Sequence, residues 1–204
     1  MNSLIKIHKT NNPIRPLINF KKAPTYKIAK ILAQKLRNSK ITTNEYNIKN
    51  STELVQKLQK IKTNENTAFT SFDITNMYTN IPIQETIEII TDKLKKQNES
   101  NEYITQIKNS LNKILNQNYF KFNNKIYKQN SGLAMGSPLS SIIAEIFLQE
   151  IDKKIINIIK KYDNEGKWIR YVDNGLYISN NNNKHTKEIY NELNKIHPNI
   201  KFTK

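Results

Sequence analysis

Two aspartates stand where acidic side chains could do chemistry. Asp73 ends the β-prone run 68–72 within Ser71-Phe72-Asp73-Ile74, and Asp173 lies between two aromatic and β-branched runs, 168–172 and 176–178. An aspartate at a strand end is, taken alone, most often a turn or cap residue. Asp173 differs, because at the tip of a hairpin its carboxylate is held by rigid elements. If the two runs lie side by side in one sheet, the carboxylates converge although residues 73 and 173 are far apart in the chain. Paired carboxylates are the oxygen donors that Mg²⁺ accepts while keeping positions open for water and phosphate oxygens. Two such ions about 4 Å apart activate an attacking hydroxyl and stabilise the leaving oxygen in phosphoryl transfer.

The elements that would position these acids follow from periodicity. The first twenty residues read as extended, with Pro13 and Pro16 excluding a continuous helix. Ile28, Leu32 and Leu36 mark one helical face after Thr25, and Asn50 with Glu53 opens a second helix that buries Leu54, Leu58 and Ile61. Helical stripes return in Ile87, Ile90 and Leu94 after Pro82, and in Ile104, Ile107, Leu111 and Ile114. The period then changes to two. Tyr119-Phe120-Lys121-Phe122, the pair Asn123-Asn124 and Lys125-Ile126-Tyr127 predict a hairpin, its alternating aromatics expected to form one side of a core.

After residues 132–138, a long helix carries Ile143, Phe147, Ile151, Ile155 and Ile158, with Pro138 near its first turn. Asp173-Asn174-Gly175 is expected to turn a second hairpin. A helix with Ile189, Leu193 and Ile196 and a strand over 200–203 complete the chain, and the Asn tract 180–183 reads as a loop. His8, His185 and His197 show no metal-type spacing and are expected on the surface or in loops. Such mixing of elements predicts an α+β fold, an antiparallel sheet backed by helices.

Composition narrows the partners. The chain has 204 residues, 33 Lys plus Arg against 17 Asp plus Glu, and a net charge of +16, which favours a polyanion and nucleic acid above others. Codon bias toward Lys, Asn and Ile is the competing source of that charge. The absence of cysteine excludes disulfides, thiol nucleophiles and Cys-type zinc sites. No apolar run reaches the roughly 18 residues of a membrane span, and residues 1–12 lack the apolar segment of a secretory signal, so no membrane partner and an intracellular location are expected.

Three segments, Ser71-Phe72-Asp73-Ile74-Thr75-Asn76-Met77-Tyr78, Gly132-Leu133-Ala134-Met135-Gly136-Ser137-Pro138-Leu139-Ser140 and Arg170-Tyr171-Val172-Asp173-Asn174, resemble in order and spacing the palm motifs of reverse transcriptases. The resemblance is nearest to the Penelope-like retroelements. Lys6-Ile7-His8-Lys9 with Ile14-Arg15-Pro16-Leu17-Ile18 resembles the same family's fingers. The resemblance implies a polymerase palm-type antiparallel sheet backed by helices, with fingers elements. Residues 1–68 would then be mainly fingers-like and 69–204 mainly palm with interleaved fingers segments, without a thumb or an endonuclease domain.

It further implies RNA-templated synthesis of DNA, with an RNA template, a DNA primer and deoxynucleoside triphosphates as partners and Mg²⁺ or Mn²⁺ as cofactor. Asp73 and Asp173 would be the metal ligands, with the Ile74 carbonyl as a further oxygen. Tyr78 would close the sugar pocket against a 2′-hydroxyl, and Arg15 with Lys6 or Lys9 would grip the triphosphate. Met135, Gly136, Ser137 and Pro138 would form the turn that meets the incoming nucleotide. Many reverse transcriptases have Gln at the position of Met135, whereas Penelope-like ones resemble this chain in using Met.

One departure touches the chemistry. The family's Tyr-x-Asp-Asp is here Tyr171-Val172-Asp173-Asn174, and an amide lacks the charge that offsets two divalent ions. Asn174-Gly175 also suits a hairpin turn, so the fold is expected to tolerate the change while catalysis by Asp73, Asp173 and Asn174 is attenuated or lost. The rival expectation is a non-catalytic nucleic-acid-binding protein derived from a reverse transcriptase.

Overall fold

The computed structural model describes the backbone of residues 2–5 and 14–17 and the whole of residues 19–204. Strands β1 (Asn2–Ile5) and β2 (Ile14–Leu17) pair antiparallel, and helix α1 (Tyr26–Asn38) follows. Its buried stripe is Ala29, Leu32, Ala33 and Leu36, while Ile28 is exposed. Leu32 and Leu36 thus lie on the buried face as expected, while Ile28 does not and the small Ala29 and Ala33 complete the face. Helix α2 (Ser51–Leu58) starts as its capping pattern predicts: Asn50 Oδ1 accepts from Glu53 N at 2.9 Å, and Glu53 Oε2 accepts from Lys49 N at 2.9 Å.

Strand β3 (Ala68–Ile74) leads into the single turn α3 (Met77–Asn80), then α4 (Ile83–Lys96) and α5 (Asn101–Leu115), whose apolar stripes are buried at every position expected from their period. The ribbon β4 (Tyr119–Phe122) and β5 (Lys125–Lys128) forms with Asn123 and Asn124 both at positive φ. Its strands do not face a core: Tyr119, Phe122, Ile126 and Tyr127 are all exposed.

Helix α6 (Ser140–Tyr162) buries Ile143, Phe147, Ile151 and Ile155 as expected, but ends its stripe on Ile159 because a step of four from Ile155 holds the face and a step of three to Ile158 leaves it half-exposed. Strands β6 (Lys167–Tyr171) and β7 (Asn174–Ser179), helix α7 (Thr186–Leu193) and the short β8 (Phe202–Thr203) complete the order. Helix α7 stops before Ile196, and His197 lies in a loop, as expected, but is buried there against the Phe147 ring at 5.3 Å.

The chain divides into two compact units, residues 1–42 with 78–146 and residues 43–77 with 147–204. The first holds the β1–β2 and β4–β5 ribbons and a core from α1, α4 and α5. The second is built on an antiparallel sheet of order β6-β7-β3-β8. The β6 edge is covered by residues 46–48, since Arg170 N donates to Tyr46 O and Ile48 N to Arg170 O. Ile48, Ile169 and Ile178 form a buried cluster against which Leu54, Leu58, Ile61 and Leu176 pack. This joins α2 to the sheet through apolar contact, with Leu54, Leu58 and Ile61 half-buried where full burial was expected. Among the described residues no helix is long and apolar enough to cross a membrane.

Candidate active site

The β6–β7 hairpin turns one step earlier than its sequence suggests. Tyr171 pairs with Asn174 and Arg170 with Gly175, so the loop is Val172-Asp173, while Asn174 and Gly175 are the first residues of β7. The glycine serves packing instead of turning: a Cβ at Gly175 would lie 1.9 Å from Cη2 of Trp168. Asn174-Gly175 therefore does not ease the turn, and the expected tolerance of Asn174 as a turn residue has no basis. The turn carries a different stress, Val172 at φ +56°, a conformation that costs a β-branched residue of order 1–3 kcal/mol.

A buried network supports that loop. The Arg170 Nη1 group donates to the Val172 carbonyl at 2.9 Å. The same guanidinium is buried, with Nε 3.0 Å from both oxygens of Asp152 and Nη2 2.9 Å from Asp152 Oδ2. Asp152, fully buried on α6, also accepts from Trp168 Nε1 at 2.9 Å and Asn44 Nδ2 at 2.7 Å. A buried carboxylate is sustained only by such saturation with donors and an opposite charge. Asp152 was passed over in the sequence among the charges of α6. The available signal was its place four residues after Leu148 and three before Ile155, on the apolar face of the helix.

Strand β3 brings the other acid alongside. Asp73 pairs in register with Asn174 of β7 and with Thr203 of β8, and Ile74 N donates to the Asp173 carbonyl at 2.9 Å. Asp73, Ile74, Asp173 and Asn174 thus meet at one end of the second unit's sheet. The Asp73 and Asp173 side chains are half-buried and Asn174 is exposed. Asn174 turns its amide nitrogen toward Asp173, with Nδ2 3.3 Å from Oδ1. Two carboxylates and a main-chain carbonyl are hard oxygen donors, the inventory suited to Mg²⁺ or Mn²⁺ completed by water and phosphate. Among the described residues, no group of three or more His, Cys, Asp or Glu side chains could hold a metal by itself.

The remaining expected residues fall in the first unit. Leu133 N donates to the Tyr78 carbonyl at 2.7 Å, and Gly132, at φ +70°, lies so close to Thr79 that a Cβ would stand 2.2 Å from its carbonyl oxygen. These contacts bind the segment after β3 to residues 132–138. That segment turns through Gly136, with Ser137 N donating to Ala134 O at 3.3 Å and Ser140 Oγ to the same carbonyl at 2.6 Å. Tyr78, Met135, Ser137 and Pro138 are half-buried and Gly136 is exposed. Arg15 is placed in β2 opposite Leu4, and Lys6 and Lys9 lie outside the described residues.

Residues 7–203 match the family described as reverse transcriptase (RNA-dependent DNA polymerase). No protein with a curated description matches the chain. Among solved structures, apo telomerase from Candida tropicalis truncated from its C-terminal domain is similar with a TM-score of 0.60 and 18% identity, over 90% of this chain and 41% of that one. Apo telomerase from Candida tropicalis aligns at 0.61 and 17%, over 89% and 35%. Telomerase from Candida albicans in complex with a TWJ fragment of telomeric RNA aligns at 0.59 and 15%, over 89% and 33%. The chain therefore spans less than half the length of these proteins, and at such identities the likeness is one of fold. With the family match extending over nearly every residue, this chain belongs to the reverse transcriptase family.

Proposed function

We propose that the chain is the fingers and palm of a Penelope-like reverse transcriptase, joining deoxynucleotides to a primer 3′-hydroxyl on an RNA template inside the cell. The reading rests above all on one observation: the Ile74–Asp173 main-chain bond and the Asp73–Asn174 register set two aspartates side by side at a sheet end. In this reading residues 1–68 are mainly fingers and residues 69–204 mainly palm with interleaved fingers segments. The carboxylates of Asp73 and Asp173, with the Ile74 carbonyl, hold Mg²⁺ or Mn²⁺, which when bound supplies an activated hydroxyl and offsets phosphate charge. Asp73 and Asp173 fix where the reacting groups meet. Tyr78 excludes a 2′-hydroxyl by its bulk, Met135, Gly136, Ser137 and Pro138 seat the nucleotide, and Arg15 with Lys6 or Lys9 holds its phosphates.

Asn174 weakens this centre. It removes a negative charge where cations must gather, and its amide nitrogen faces the Asp173 carboxylate, so a donor occupies the side from which a cation would be drawn. That observation also favours the second reading, a non-catalytic nucleic-acid-binding protein derived from a reverse transcriptase.

Primer extension on an RNA template in Mg²⁺ and in Mn²⁺ separates the two. We expect slow synthesis by the natural chain, at least about tenfold faster synthesis by Asn174→Asp, and none by Asp173→Asn, tenfold in rate being ~1.4 kcal/mol of barrier. Absence of synthesis by the natural chain and by Asn174→Asp overturns the polymerase reading and leaves the binding one.

A further inference from the structure

The β4–β5 ribbon is the element the catalytic reading does not use. Among strands whose side chains are described, it is the one pair without a buried residue: Tyr119, Phe122, Ile126 and Tyr127 are 58%, 51%, 75% and 42% exposed. Directly opposed residues of an antiparallel pair share a face. Register therefore puts Tyr119, Lys128, Lys121 and Ile126 on one face and Phe120, Tyr127, Phe122 and Lys125 on the other. Both faces carry lysine and aromatic rings, one ring with two lysines on the first and three rings with one lysine on the second. Lys128 Nζ lies 5.7 Å from the centre of the Tyr119 ring, and Phe120 stacks on Tyr127 at 5.6 Å with 18° between planes. Residues 117–131 contain no acid, so the ribbon's field is purely positive.

A cavity of about 310 Å³ opens at the root of this ribbon, between Phe120, Lys128, Gln129, Ser131, Leu133 and Met135. It is at the small end of ligand-sized pockets and has the usual make-up, apolar walls with a few polar groups. Met135 lines it, which makes the cavity continuous with the 132–138 turn. Flat rings spaced along a lysine-bearing ribbon match the two needs of an unpaired strand: faces on which bases stack and cations that follow its phosphates. A duplex hides its base faces and offers only its phosphates.

We infer that the β4–β5 ribbon and the cavity at its root form a docking surface for an unpaired stretch of RNA. The strand wraps the ribbon: bases stack on Phe122 and Tyr127 of one face, where Lys125 meets the phosphates, and on Tyr119 of the other, where Lys121 and Lys128 do, while a base enters the cavity at the root. The choice of RNA rests on the reverse-transcriptase reading; the surface itself does not.

The test is fluorescence anisotropy of the whole chain with a labelled unpaired RNA of about 12 nucleotides, a length within the range that stacking folds cover, over a series of salt concentrations. Two multiple variants, Phe122→Ser with Tyr127→Ser, and Lys121→Gln with Lys125→Gln and Lys128→Gln, change only exposed side chains. The aromatic variant is expected to bind about tenfold or more weakly with its salt slope unchanged. The lysine variant should flatten the log–log salt slope by about 2, three phosphates at roughly 0.7 each. Photo-crosslinks from 4-thiouridine should fall within residues 119–128.

Natural affinity in both variants overturns the inference, as does equal competition by an RNA duplex of the same length. Loss of a dimer in the aromatic variant without loss of RNA binding would assign the ribbon to self-association instead. Primer extension is read separately. Ribbon-dependent binding without synthesis leaves this inference standing and removes the polymerase reading; synthesis with ribbon-independent binding does the reverse.

Discussion

The two hairpins with two-residue turns, β4–β5 and β6–β7, solve the same geometric problem by opposite means. In the first, Asn123 and Asn124 accept positive φ through their own chemistry, and the strands around them need no support. In the second, Val172 is placed at positive φ against its preference, and a guanidinium anchored on a buried carboxylate holds its carbonyl. A turn specified by its own residues can carry an open surface. A turn specified by its surroundings is rigid because the fold overdetermines it, and here it carries Asp173.

The difference can be broken at its strongest point. Asp152→Asn leaves the buried Arg170 without its counter-charge, and stability measured by denaturant titration should fall by about 3–5 kcal/mol. A loss under about 1 kcal/mol would mean the pair is not what holds the loop. Next in size, Gly175→Ala drives a methyl into the Trp168 ring, and the same titration should show a loss of about 1–3 kcal/mol. If alanine proves neutral, Gly175 is serving the turn and not the packing. The smallest effect sharpens the contrast most: Val172→Asn should gain up to about 1 kcal/mol while Asn123→Val loses a similar amount, as expected from the cost of a left-handed residue. Two shifts of the same sign would erase the distinction between the turns.

Much of this architecture was written in local patterns. The stripes of α4 and α5 and the Asn50 cap were legible because a period and a capping pair are properties of a few neighbouring residues. The Asn123-Asn124 turn was legible for the same reason. The aspartates' meeting was readable only as a condition on strand pairing, since register between β3 and β7 is a long-range choice. The Val172-Asp173 loop escaped because Asn174-Gly175 imitates a turn signal, while the reason for Gly175 is a ring on the neighbouring strand. Asp152 escaped because its partners, Asn44, Trp168 and Arg170, are distant in sequence and only the fold collects them. On the core face of α1, Leu32 and Leu36 were legible, whereas Ala29 and Ala33 escaped because alanine gives a weak hydrophobic signal. The open faces of β4–β5 escaped because alternating aromatics are usually the sign of a covered sheet.

The pairing of Asp73 with position 174 is made by main-chain atoms, and the side chain at 174 projects into solvent. Asparagine and aspartate have nearly the same shape, so exchanging one for the other leaves the strands, the loop and its anchoring undisturbed. What the exchange of amide for acid alters is charge: an aspartate at 174 would stand opposite Asp73 and beside Asp173 and lose the hydrogen bond to Asp173, so the corner would gain negative charge at a cost in like-charge repulsion.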